Sequence, residues 1–506
     1  MEKEAKENII IKKTEGMTKE LLIKLMSCAM LALFWVVFVW NFWEEGIYVL
    51  GINAFVFLSL FIGLFIWVLY KKERLSKDDL IWIIPLGLIS FSFLIYNNPF
   101  LKITSLLVFP VSFAVFYNYA WLDDKKTRHW DINFLSNTLT RIFSFLGRIG
   151  ASITSYIELM IPAGNAKRKV IAKIVSGVIL FLIIALTVFI PLLSSADAVF
   201  GDKMQVIYDW IQEVFSFPIV YKIIFFIIFS VLMSSMLLAW GRLFNYEEKG
   251  ESDKKIDSIV SGIVLGGVLV LYLLFLWVQI ERLWVGTLPF DFKETENLVK
   301  SGFWQLFFLS IINIIIYFFT YRKTNRVVQW ILTGFTVTSL LLLSSAGYRM
   351  GLYTTYYGFS YEKFFASYTV LYCAILFVWL ISRLFIKKRS NIVKFLVILF
   401  LWMYAFVTVF PVEQFIVRVN VSLARLEQSR IRLFELTMLS PDVLSLVKKY
   451  ESQGLLKENN NYLLREDSPK SEEQFNWVPW IERQEKMVKD KKWYERNIVN
   501  MIYLSK

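Results

Sequence analysis

Long apolar runs dominate the chain, and short polar connections separate them. Eleven of these runs come close to the length that an α-helix needs to cross roughly 30 Å of hydrocarbon. They cover residues 22–42, 47–70, 79–96, 100–121, 169–193, 219–243, 257–281, 299–321, 327–346, 361–386 and 391–413. The pattern therefore predicts an all-α integral membrane protein, a polytopic helical bundle with about eleven spans.

The spacing of the runs divides the chain into five regions. These are an N-terminal segment (1–21), a four-span bundle (22–121), a connection (122–168), a seven-span bundle (169–413) and a helical C-terminal tail (414–506). In the tail, Ser440 is a good helix N-cap, Pro441 suits the first helical position and Gly454 can close the helix. A polar stretch follows, and then a last helix that carries tryptophan.

Two segments outside the spans repeat apolar residues at helical spacing. The first covers residues 132–160 and carries Arg141 and Arg148 on its polar face. The second covers residues 197–215. Both patterns are typical of interfacial amphipathic helices, and the two arginines suit an anionic leaflet. The alternative is that both helices pack on the protein's own spans.

Charge sets the orientation of the spans. Hydrophobic residues make up 57% of the chain, charged residues 19%, and the net charge is +13. The N-terminal segment and every second connection hold 31 Lys and Arg, whereas the intervening connections hold eight. This asymmetry predicts a cytoplasmic N-terminus and, for an odd number of spans, an extracytoplasmic tail. It also explains the net charge without nucleic-acid binding, for which no basic soluble module is present.

Residues for common chemistries are scarce. The two cysteines, Cys28 and Cys373, lie in apolar runs, and the only histidine, His129, lies in the charged connection at 122–168. These residues cannot form an ordinary zinc or haem site. We expect no cofactor, and the absence of catalytic motifs favours a protein that is not an enzyme. Polar residues at mid-span are expected to hydrogen-bond between helices, namely Asn53, Gln279, Gln305 and Asn313.

Charged and phenolic residues gather instead at the outer ends of spans. If these ends meet, they form a polar cluster of Asp197, Glu281, Arg282, Arg349, Tyr353, Tyr357 and Glu362. One interpretation is an aromatic belt with a salt bridge that fixes the loop after the ninth span. The other is a polar site for a lipid head group or a small anion, with Arg349 as its planar donor.

Three stretches resemble a bacterial polytopic membrane family, domain of unknown function 4173, and its relative 4153. The matching positions are Ser195, Ala196, Asp197 and Phe200, then Arg349, Met350, Tyr353, Tyr357 and Gly358, and finally Asn420, Leu439, Ser440 and Asp442. The family pattern has Leu-Thr and a later arginine after the glycine, where this chain has Phe359, Ser360 and Lys363. The resemblance covers residues 170–450 and implies a multi-pass protein of the bacterial cell membrane, without implying a reaction.

Three functional hypotheses remain open. The first is an envelope scaffold or sensor whose tail and outer cluster bind a lipid or a protein partner. The second is a transporter or exporter of a neutral or lipidic solute, because span interiors without ionisable groups count against ion coupling. The third is a membrane-embedded enzyme for lipid-linked substrates, with Asp197 or Glu281 as base and Arg349 on phosphate.

Overall fold

The computed structural model describes most of the chain. The described residues are 19–121, 132–160, 218–241, 257–283, 292–321, 323–385, 391–426, 429, 431–456 and 476–505, with scattered positions between 170 and 209. They form helices joined by turns, and no β-strand occurs among them. Ten of the described helices are long and apolar enough to cross a membrane. The prediction of an all-α polytopic bundle is confirmed.

The described helices of seven or more residues follow one another along the chain. In chain order they are α1 (Lys19–Val39), α2 (Ile52–Lys71), α3 (Leu80–Ile95), α4 (Pro99–Ala120), α5 (Ile132–Phe143), α6 (Ile149–Met160), α7 (Pro218–Trp240), α8 (Ser258–Leu283), α9 (Phe292–Thr320), α10 (Arg326–Tyr357), α11 (Tyr361–Phe385), α12 (Ile392–Val409), α13 (Val412–Leu423), α14 (Leu444–Ser452), α15 (Val478–Asp490) and α16 (Ile498–Leu504). Short 3₁₀ helices include Leu433–Met438, Pro441–Val443 and Trp493–Glu495.

Ten of the predicted spans coincide with these helices. The eleventh, residues 169–193, lies largely outside the described residues. One boundary differs clearly, because α10 continues to Tyr357, whereas the ninth span was predicted to end at 346. At 1.5 Å per residue, its 32 residues reach about 48 Å, beyond the roughly 30 Å of a hydrocarbon core. The stretch that contains Arg349 is therefore helical and not a loop.

The chain forms two compact units. The first consists of Met1–Ile95, Phe100–Tyr246 and Lys492–Asn497, and the second of Tyr96–Pro99, Glu247–Lys491 and Ile498–Lys506. In the first unit an aromatic cluster joins α2, α4 and α7. The ring of Phe65 lies 5.3 Å from the rings of both Phe113 and Tyr117, and 5.6 Å from that of Trp240. Such edge contacts add to the stabilisation that comes from apolar burial.

The amphipathic segment at 132–160 packs on spans of the first unit. Arg141 is only 1% exposed, donates from Nη1 to the Trp240 carbonyl at 3.1 Å and lies over the Tyr117 ring. Burial lowers the pKa of Arg141 to about 10. On α6, Tyr156 donates to the Leu25 carbonyl at 3.0 Å. This arrangement differs from the expectation that Arg141 faces anionic lipid, because the Trp240 carbonyl and the Tyr117 ring hold its guanidinium within the first unit. Arg148 is partly exposed.

The second amphipathic segment, residues 197–215, lies outside the described residues except for Met204 and Asp209. No statement about its packing follows.

A short piece of the tail belongs to the first unit. Ile52 N donates to the Arg496 carbonyl at 3.2 Å, and Asn41 Nδ2 donates to Glu495 Oε1 at 2.7 Å. Gly51 permits this approach, since a Cβ there would lie 2.5 Å from the Glu495 carbonyl oxygen. The connection between α1 and α2 therefore holds residues that lie more than 440 positions away in the sequence.

In the second unit, α10 packs against α8, α9 and α11. A buried polar chain links three of these helices, because Tyr272 OH donates to Asn313 Oδ1 at 2.6 Å and Asn313 Nδ2 donates to Ser339 Oγ at 2.9 Å. The predicted interhelical role of Asn313 is confirmed. Asn53 donates to the Phe38 carbonyl at 2.8 Å, also between helices. Gln305 is exposed, and the side chain of Gln279 is not among those described.

Candidate functional site

The turn between α10 and α11 is built around Gly358. Its φ of 70° lies in the left-handed region that glycine adopts without strain. Lys363 Nζ donates to the carbonyls of Tyr357 and Gly358 at 3.1 and 2.9 Å, which satisfies groups that a helix end leaves open. The same ammonium lies 4.5 Å from the centre of the Tyr353 ring, a cation–π contact. Lys363 therefore closes α10.

Asn420, on α13, pairs with the backbone of this turn. Phe359 N donates to Asn420 Oδ1 at 2.7 Å, and Asn420 Nδ2 donates to the Phe359 carbonyl at 2.8 Å. The amide thus satisfies both hydrogen-bonding groups of one partly buried backbone residue, where open groups are unfavourable. A Cβ at Gly358 would lie 2.9 Å from Asn420 Oδ1. The glycine is needed both for its backbone conformation and for this approach.

The carboxylate of Glu413 accepts hydrogen bonds from two other segments. Its carboxylate, 4% exposed, accepts from Ser440 N at 3.1 Å and also from the hydroxyls of Ser440 and Tyr361. A buried carboxylate is tolerated only where hydrogen bonds replace its hydration. Glu413 therefore ties the start of α11 and the residue before Pro441 to the beginning of α13.

Asp442 extends the same arrangement to the connection between α3 and α4. Ser440 Oγ accepts from Asp442 N at 3.3 Å, so the serine caps the 3₁₀ helix as its sequence predicts. Asn97 N donates to Asp442 Oδ2. Burial, together with the negative charge of Asp442, raises the pKa of Tyr96 above its ordinary value. We call this set the tail junction: Asn97, Gly358, Phe359, Tyr361, Glu413, Asn420, Ser440 and Asp442.

The polar groups of the tail junction hold separate segments of the chain together. Its amide, carboxylates and hydroxyl pair with one another and with backbone groups, in a layer at the ends of spans. Across the described ranges, no group of three or more His, Cys, Asp and Glu could hold a metal ion. The arrangement fixes α13 and the 3₁₀ helix Pro441–Val443 against the α10–α11 turn and against residues 96–99.

Four members of the predicted outer cluster are among the described residues, namely Arg349, Tyr353, Tyr357 and Glu362. The rings of Tyr353 and Tyr357 lie 5.2 Å apart and pack with Met350. Arg349 is half-buried on α10, and Glu362 is exposed in the first turn of α11. Other members lie outside the described side chains, namely Asp197, Glu281 and Arg282, as do the resemblance positions Ser195 and Phe200.

Sequence reasoning missed two members of the tail junction. Glu413 follows Pro411 at the start of a helix, where an acid is ordinary, and Asn97 precedes Asn98 and Pro99, a common turn sequence. Neither pattern signals a contact across 27 or 345 residues. The resemblance did single out Asn420, Ser440 and Asp442, and the structure places all three in one layer.

These features define an all-α, multi-pass membrane protein with a docked C-terminal segment. A family model described as domain of unknown function (DUF4153) matches residues 83–450, and the chain belongs to this family. The matching family is thus the relative numbered 4153 in the resemblance. No curated protein and no solved structure matches the chain.

Proposed function

We propose that the protein is an envelope scaffold or sensor, whose tail presents a binding surface for a protein partner at the outer face of the cell membrane. The observation that carries the proposal is the tail junction. Its buried polar groups fix the tail to the span ends, and a surface held in this way is pre-organised for binding.

Charge and contact together support the outer position of the tail. The charge asymmetry assigns the connections at 96–99 and 358–360 to the outer side. Asn97 N donates to Asp442, and Phe359 pairs with Asn420. Both connections contact the tail within the second unit, which supports a position of the tail on the side that the charge pattern gives to them.

The test compares crosslinked partners of full-length variants in intact membranes. Arg483→Glu with Lys486→Glu changes two exposed cations on α15 without touching the tail junction. We expect crosslinked partner protein to fall several-fold in this variant. The matched control, Lys71→Glu with Lys72→Glu, makes the same charge change at the end of α2, where we expect no effect. A partner set that is identical in both variants and wild type contradicts the proposal.

A further inference from the structure

The last helix of the tail, α16, buries a polar side chain and exposes apolar ones, the reverse of a helix that faces water. On α16 the polar Asn500 is buried to 1% exposure, whereas Met501 and Ile502 are 42% and 52% exposed. Ile498 is also exposed. A short helix on a water-facing surface buries its apolar side chains and exposes its amides. The opposite arrangement indicates that an apolar medium faces α16 from outside.

A second element of the tail shows the same tendency independently. The 3₁₀ helix Leu433–Met438 ends two residues before Ser440 of the tail junction, and Met438 is 78% exposed. This is the highest exposure of a large apolar side chain among the described residues. Leu433 and Leu436 on the same turn are buried, so the element has apolar residues on both its inner and its outer side.

Both elements lie at the level where spans end. α16 packs against the 3₁₀ helix Pro441–Val443. The residue before that helix, Ser440, donates from its backbone to Glu413, which follows the last residue of α12 by four positions. Phe410 and Pro411 interrupt the helix there, so these four residues reach at most about 14 Å beyond the end of α12.

We propose that the exposed apolar residues of α16 and Met438 insert into the bilayer interface on the tail's side of the membrane. Lipid fits better than protein, because α16 offers only three exposed apolar side chains, whereas a stable protein interface buries about 800 Å² on each partner. Lipid already surrounds the spans that carry this layer. The inference does not depend on a protein partner or on which leaflet is involved.

Spin-label accessibility tests the proposal in the full-length protein, reconstituted in phosphatidylethanolamine–phosphatidylglycerol nanodiscs. Cys28 and Cys373, both buried, are replaced by alanine. Labels at Met501→Cys and Met438→Cys are compared with Arg483→Cys, an exposed position on α15, and with Leu341→Cys, an exposed apolar position within α10. Collision rates with oxygen, which concentrates in lipid, and with a water-soluble nickel complex are measured for each.

We expect the ratio of oxygen to nickel accessibility at 501 and 438 to exceed that at 483 several-fold and to approach that at 341. A ratio equal to that at 483 would place both positions in water and overturn the proposal. Low accessibility to both reagents would show that protein covers them, which also overturns it. Ile502→Cys provides a second labelling position on α16 if the Met501→Cys protein does not fold. A variant is used for the comparison only when its melting temperature equals that of wild type.

Discussion

Asn420 and Phe359 are joined by two hydrogen bonds across 61 residues of sequence, with N···O distances of 2.7 and 2.8 Å. The side-chain amide of Asn420 pairs with the backbone of Phe359 in the way that a neighbouring strand pairs with a backbone in a β-sheet. The pair locks α13 onto the turn between α10 and α11. The stability of the tail junction therefore depends on single side chains that can be removed one at a time.

Asn420→Ala removes both bonds and leaves the partly buried N–H and carbonyl of Phe359 without these partners. Each net hydrogen bond contributes about 1 kcal/mol, and each unsatisfied group adds a penalty, so we expect a loss of about 2–4 kcal/mol. Thermal unfolding in detergent measures it. Arg418→Ala changes an exposed side chain on the same helix and should stay within about 0.5 kcal/mol of wild type. Equal melting temperatures for the two variants would show that the pair is dispensable.

Gly358→Ala introduces a Cβ at a φ of 70°, at 2.9 Å from Asn420 Oδ1. The strain of a left-handed alanine is about 1–2 kcal/mol, and the contact with Asn420 adds to it. We expect a lower melting temperature and a faster tryptic cleavage of the tail. Gly351→Ala is the matched control, because a Cβ there meets no atom within 4 Å and alanine favours a helix interior by about 0.5–1 kcal/mol. A Gly358→Ala protein as stable as Gly351→Ala would refute the assigned role.

Gly51→Ala tests the docking of residues 492–497 in the first unit. The added Cβ would lie 2.5 Å from the Glu495 carbonyl, a backbone atom that cannot rotate away. We expect this segment to detach locally, measured as faster hydrogen exchange of the amide of Ile52, which donates to Arg496. Gly63→Ala, with open space around its Cβ, should leave that exchange unchanged. Identical protection in both variants would contradict the contact.

Glu485 links the tail helices α14, α15 and α16 and makes a pH-dependent contribution. Lys448 Nζ donates to its carboxylate at 2.8 Å, and Tyr503 donates to the same oxygen. Hydrogen bonds from Lys448 and Tyr503 lower the pKa of Glu485 from 4.5 to about 2. Because the folded pKa is the lower one, this stabilisation is present above the unfolded value, near 4.5, and is lost as the pH falls towards 2.

Glu485→Gln is therefore expected to lower stability at pH 7 by up to about 1 kcal/mol, the usual range for an exposed ion pair. The difference from wild type should shrink as the pH falls from 4.5 towards 2, as measured by thermal unfolding at a series of pH values. Glu482→Gln, one helical turn away and exposed, serves as the control, with no pH-dependent difference expected. A Glu485→Gln difference that stays constant with pH would rule out the carboxylate as its cause.

The side of the tail is open to a direct measurement. A cysteine at Gln453, exposed just after α14, should react with a membrane-impermeant maleimide in intact cells, whereas one at Lys72 should react only after permeabilisation. The reason is the charge asymmetry together with the contacts of Asn97 and Phe359 to the tail. The native cysteines are both buried and should stay unlabelled. The reverse labelling pattern would place the tail in the cytoplasm.

The sequence by itself determined the class of protein, the positions of the ten described spans and the helical tail. These features follow from local properties, since apolar length predicts a span and Ser440-Pro441 predicts a helix start. Only the tertiary structure decided which polar groups meet. Glu413 and Asn97 look ordinary in their own segments, and the sequence left open whether Arg141 faces lipid or packs on the protein's own spans. Their roles arise from atoms that lie up to 345 residues away, because burial requires each polar group to find a partner wherever the fold brings one within reach.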